Sequence, residues 1–177
     1  MHIRGMILVF GFLLPSPAVA QAPTDELARM HMVRMQLIAS QISALARVKI
    51  DLEKIFRDHN ALSEKATHDV SLQAAASCSH EINFELGGAW LNLETIQDLL
   101  SLNGDMQTAA DQQMVSLSLR NHVLETQNAV QLLAIAATSG LRSCPADQQE
   151  FSAIQSWTAQ SEPVLDRIKE TADAMSK

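Results

Sequence analysis

Apolar residues recur in steps of four and three along most of this chain. From Leu27 to His59 the stripe Met35, Ile38, Ile42, Leu45, Lys49, Leu52 and Phe56 keeps that step with no Gly or Pro between, and His31 and His59 extend it at either end. The spacing places these positions on one side of an α-helix. It predicts a first helix from about Thr24 to His59, capped by Thr24 or Asp25, about 50 Å long. A helix of that kind does not persist alone in water, so the remaining segments must cover its seam.

A turn is expected near Asn60. The next seam is Leu72, Ala75, Ser79, Ile82, Leu86, Ala89, Leu93, Ile96 and Leu100, with Gly87-Gly88 in its middle. That pair reads as a close helix–helix contact or a slight kink. Ser63 to Ser77 can form a short helix of its own. Asn103-Gly104 is a left-handed stop signal, and Asp105 is placed to cap a third helix. Its seam is Leu119, Val123, Thr126, Val130, Leu133 and Ala137, ended by Gly140. Cys144-Pro145 opens a fourth helix, with Phe151, Ile154, Thr158, Ser161, Leu165, Ile168, Ala172 and Met175 as its seam. Pro163 should kink or split it. Four amphipathic helices joined by short connections imply an all-α, antiparallel up-down-up-down four-helix bundle.

The first 20 residues change the picture of where this bundle works. Arg4, the apolar run Met6–Leu14, Pro15 and Pro17, then Ala18-Val19-Ala20 have the order of a cleaved signal peptide. The run is too short to span a membrane. The expected organisation is a signal peptide over 1–20 and a single helical domain over 21–177, periplasmic or secreted, with no integral membrane segment. Loss of Arg4 with the leader takes the formal charge from −7 to −8. So acidic a chain repels nucleic acid and anionic membrane surfaces. Tyr is absent, and Gly and Pro are scarce, which favours long helices over sheets.

In an oxidising compartment Cys78 and Cys144 are expected to form a disulfide. A straight second helix from about Val70 conflicts with that pairing. It sets Cys78 about 20 Å below the loop that carries Cys144, whereas a disulfide needs Cα atoms within about 7 Å. A break in the second helix between residues 60 and 77 resolves the conflict most simply, because that stretch is rich in Ser, His and Asn.

Candidate chemistry gathers at one end. All six methionines after the leader (Met30, Met32, Met35, Met106, Met114 and Met175) fall in the lower third of the bundle, with His31 beside them. His31, Met32, Met35, Met106 and Met114 are the candidate ligands of a soft ion, above all Cu(I). A b-type haem between His31 and a Met is the other cofactor reading. The simpler one is that methionine fills gaps in an adaptable core. Arg29 and Arg34 sit at the same end, as rim ion pairs or as an anion or partner contact. Arg34-Met35 followed by Ser40-Gln41-Ile42 resembles, over one helix at most, the first-helix pattern of periplasmic sensor bundles related to nitrate sensors and pilus chemotaxis transducers. An Arg-Met-Leu-Ser-Gln run is typical there, and the spacing here departs from it by several residues.

Elsewhere the chemistry is sparse. Lys49 on the seam is expected to pair with Glu81, and His122 with Glu125 on a solvated face. The chain has no His-Glu-x-x-His motif, phosphate loop or nucleophile elbow, and so offers no catalytic residues. The reading is a non-enzymatic exported bundle without a cofactor, binding a small ligand or a protein partner and possessing an open oligomeric state. The alternative is a periplasmic Cu(I)-binding bundle.

Overall fold

The computed structural model describes residues 22–106, 108 to 143 and 148–175, with side chains except at 22–24, 74–81, 105, 109, 141 and 143. The described residues are all-α. The helices are α1 (Ala22–His68), α2 (Val70–Asp105), α3 (Ala109–Ser143) and α4 (Gln148–Met175). The chain divides into two units, Met1–Val33 and Arg34–Lys177. In the first, the described residues are the helical start of α1, where Leu27, Met30, Met32 and Val33 are exposed.

In the second unit each helix buries a stripe with steps of three and four. On α1 it is Ile38, Gln41, Leu45, Val48, Leu52, Ile55 and His59. On α2 it is Ile82, Leu86, Ala89, Leu93, Ile96, Leu100 and Asn103. On α3 it runs from Ser116 through Leu119, Val123, Thr126, Val130, Leu133 and Ala137 to Gly140. On α4 every expected position is buried except Met175, which is partly covered, and Trp157 joins them. A seven-residue repeat of this kind keeps one seam facing neighbouring helices along their whole length.

The first seam is rotated from the expected one. Ile42, Lys49 and Phe56 are half-buried flanks, while Gln41 and Val48 lie inside. The apolar arc of α1 is broad enough to hide its centre, and a glutamine occupies one central position. Its amide reaches α4, donating to Arg167 O at 3.1 Å and to Thr171 Oγ1. The Glu81 side chain, expected to pair with Lys49, lies outside the described residues, and a different partner is described for Lys49. Its ammonium lies 3.4 Å from Glu94 and 5.2 Å over the Trp90 ring.

Several boundaries differ from expectation. No turn forms at Asn60: α1 continues to His68, and Ser63–Ser77 is not a separate helix. The break falls at Asp69, within the stretch expected to be weak. Lys65 and His68 complement the carbonyl end of α1. Asp69 then caps α2 from an extended backbone, accepting from Ser71 N at 2.9 Å and Ser71 Oγ at 2.6 Å. Asn103-Gly104 does not stop α2, which runs to Asp105, and no described glycine has a positive φ. Thr108, not Asp105, caps α3, exchanging hydrogen bonds with Asp111 three residues on. The helix α4 passes unsplit through an exposed Pro163, while its expected opening at Cys144-Pro145 lies outside the described residues. The proposed Cys78–Cys144 pair lies outside the described residues, Cys144 wholly and Cys78 in its side chain.

The glycines separate into two kinds. Gly140 does not end α3; it is buried within it because the Phe151 ring rests on its α-carbon. A Cβ there would lie 2.3–2.6 Å from three ring atoms. At Gly87 and Gly88 a Cβ would meet nothing within 4 Å, so neither marks a close helix contact.

Gly140→Ala is therefore expected to lower stability by about 1–3 kcal/mol through overpacking. Gly88→Ala should raise it by up to about 1 kcal/mol through helix propensity. Urea midpoints of the two variants would move in opposite directions. The carboxyl of Asp69 is held below its ordinary value of 3.8 by the Ser71 side-chain and backbone hydrogen bonds. A depressed folded value means that the cap contributes fully above 3.8 and is lost as pH falls through the folded value. Asp69→Ala should thus lower the melting temperature at neutral pH, and its deficit against wild type should shrink on acidification below that range.

Candidate functional site

Among the described residues α3 approaches both α2 and α4 closely. Three polar links tie α1 to α4. Gln41 bonds Arg167 O and Thr171, the Trp157 indole N–H donates to Val48 O at 2.8 Å, and His59 Nδ1 meets Glu150 Oε1 at 2.6 Å. Alongside the last two links the helices leave a groove of about 690 Å³. Ile55, Leu62 and Trp157 form its apolar floor. Asp51, Lys54, Asp58 and Lys65 line the α1 rim; Gln149, Ser156 and Gln160 line the α4 rim. Ala61 and Ala153, one on each helix, are too small to fill the space between.

The groove therefore combines an apolar base with cations and anions on its edge. That arrangement holds an amphipathic solute: the floor removes apolar surface from water and the rim fixes orientation. Glu150 of the His59–Glu150 pair is among the lining residues. The His59 side chain is 4% exposed and that of Glu150 10%. Glu150 occupies the first turn of α4, where the helix dipole favours a carboxylate. So little of the imidazole reaches solvent that it serves the α1–α4 junction and offers no proton-transfer surface to a solute in the groove.

Nearer the start of α1 lies the arginine expected to contact an anion or partner. Arg34 Nη2 donates to Asn103 O at 3.0 Å and to Asn103 Oδ1. Asn103 O is one of the last four carbonyls of α2, which lack partners within the helix. The last turn of α2 carries no basic residue of its own, so a cation from α1 caps it. Asn103 Nδ2 in turn donates to Met175 Sδ at 2.8 Å. Arg34 Nε is buried without a hydrogen-bond partner among the described residues. Arg29 lies in the exposed start of α1.

The candidate metal ligands come from α1, from the C-cap of α2 and from α3. A Cβ at Gly104 would sit 3.2–3.4 Å from the Cε and Sδ of Met35, so that sulfur lies against the end of α2. Met106 is half-buried at the C-cap of α2. Met114 is exposed on α3, and its side chain stands away from the buried seam. His31 and Met32 are exposed in the unit that ends at Val33. Among the described residues no group of three or more His, Cys, Asp or Glu side chains could hold a metal ion. His122 and Glu125 do share a face, 3.6 Å apart, with Asn92 at 3.2 Å from the same imidazole nitrogen.

Sequence reasoning missed the groove. His59 was legible as a seam residue, and Trp157 adjoins the expected seam position Thr158. Their meeting depends on the α1–α4 register, which no local pattern encodes. Comparison with protein-family descriptions, with curated proteins and with solved structures gives no match. Among the described residues no helix is long and apolar enough to cross a membrane.

Removing one member of the buried pair strands the other. His59→Leu should destabilise the protein by about 3 kcal/mol, because Glu150 keeps a carboxylate with little access to water. The double variant His59→Leu, Glu150→Leu should recover most of that loss. A double-mutant cycle of urea unfolding energies checks both.

Proposed function

We propose that this chain is an exported, non-enzymatic four-helix bundle of up-down-up-down topology that binds a small amphipathic ligand in the α1–α4 groove. Export rests on the order of residues 4–20, which matches a signal peptide followed by a single domain from Gln21. The observation that carries the binding reading is the groove itself, about 690 Å³ with an apolar floor and a rim of both charges. Ligand sites have this volume range and this division between apolar base and a few orienting polar groups. Lys54 and Lys65 are the rim groups for a ligand's anionic part; Asp51 and Asp58 suit a cationic part. His59 is buried and is not among the groove's lining residues. The net charge argues against nucleic acid as the ligand.

Anilinonaphthalene sulfonate, an aromatic anion, is a suitable probe. It should bind saturably with enhanced emission. Ala153→Trp and Ala61→Trp, which fill the groove from opposite walls at exposed positions, should each weaken that binding at least tenfold without lowering the melting temperature. Unchanged binding in both variants would exclude the groove. N-terminal sequencing of the periplasmic product should begin at Gln21.

A further inference from the structure

The outer face of α3 carries a second apolar stripe, opposite its buried seam. Met114, Leu117, Leu124, Leu132 and Ile135 are exposed to 66, 49, 37, 50 and 67% respectively. At about 100° per residue the five fall within an arc of roughly 80°. Asn121 and Asn128 lie between them on the same arc, and neither is charged. An uncharged apolar stripe about 32 Å long is more than scattered surface hydrophobicity.

The order of residues in the stripe identifies its occupant. Reflected about the point between Leu124 and Glu125, Met114 exchanges with Ile135, Leu117 with Leu132, and Asn121 with Asn128, while Leu124 exchanges with Glu125 beside the centre. A two-fold axis pairs residue i with j and j with i, so in an antiparallel arrangement this order sets apolar against apolar and amide against amide side chains. A different partner imposes no such symmetry. We propose that a second copy of this chain docks on the α3 outer face, helix against helix and antiparallel, with Leu124 at the two-fold axis.

The pairing accounts for three further features. Each Met114 meets the partner copy beside Ile135, where Ala134, Ile135, Thr138, Ser139 and Arg142 form a shallow hollow. Methionine is suited to such an irregular surface. The Asn121–Asn128 pairs form two amide contacts flanking the axis, and buried amides fix register in paired helices. Glu125 stands beside the axis with His122 at 3.6 Å, a local partner for a carboxylate that faces its own copy. A membrane surface fits poorly, since Arg120 and Arg142 are the only lysine or arginine residues of α3 and the chain is acidic. Two such stripes bury on the order of 1,000 Å² in total, the lower limit for a specific dimer, so a dissociation constant of order micromolar is expected. The proposal is independent of the groove, which lies between α1 and α4.

Sedimentation velocity of the full protein from about 1 to 200 µM should show a monomer–dimer equilibrium in that range. Leu117→Glu with Leu132→Glu, both at exposed positions, should weaken it at least tenfold with unchanged helicity and melting temperature. Mixing the single variants Asn121→Cys and Asn128→Cys under mild oxidation should yield a 121–128 cross-linked peptide by mass spectrometry, and neither variant alone should link 121 to 121 or 128 to 128. A monomer at every concentration, a dimer that survives the double Glu substitution, or cross-links of a different register would each overturn the proposal. The cross-link remains decisive should the Glu variant fail to fold.

Discussion

The small side chains along α3 set the spacing of the other helices. Ser116, Thr126, Ala129, Ala137 and Gly140 are all buried there, and both α2 and α4 approach α3 closely. Close approach then allows direct hydrogen bonds, as Ser116 Oγ makes to the carbonyl of Ala172 near the end of α4. It also sets the Phe151 ring against a glycine. The α1 helix buries leucine, isoleucine, glutamine and histidine in the same core. The groove lies between α1 and α4, where Ala61 and Ala153 are among its lining residues.

Polar groups inside the seams bind α1 to its neighbours at defined heights. Arg34 with Asn103, Gln41 with Arg167 and Thr171, Val48 with Trp157, and His59 with Glu150 form a ladder along its length. Apolar contacts tolerate sliding by a turn, because one leucine replaces another at little cost. Each of these polar contacts has a single geometry, and a slip would strand a buried donor or acceptor. The ladder therefore specifies register while the leucines and isoleucines supply most of the burial.

The proposed binding and the proposed self-association draw on different surfaces of the same fold. The groove is made by what α1 and α4 fail to fill. The outer stripe of α3 is made by residues that the bundle does not need, since α3 already buries a complete seam on its other side. A helix that is apolar on two faces carries more hydrophobic surface than one core can cover, and the surplus is available for a partner.

The all-α class and the positions of nearly every buried residue of α2, α3 and α4 follow from the sequence by itself. Periodic burial is a local property, and a seven-residue repeat records it directly. The start of α2 was half legible, since the weak stretch was recognised and the Asp69 cap was not. The tertiary structure alone decided the rest. It chose which side of the broad apolar arc on α1 faces inward, and it made Gly140 a packing site, a distinction from Gly87 and Gly88 that rests on the position of one phenylalanine ring. It drew Lys49 to Glu94 and turned Arg34 inward onto Asn103. It also brought Ile55, Glu150 and Trp157 to one groove, and joined His59 to Glu150, from positions about 90 residues apart along the chain. Contacts of that kind depend on helix register, which is set by the sum of many side-chain volumes and a few buried hydrogen bonds, and no single stretch of sequence contains it.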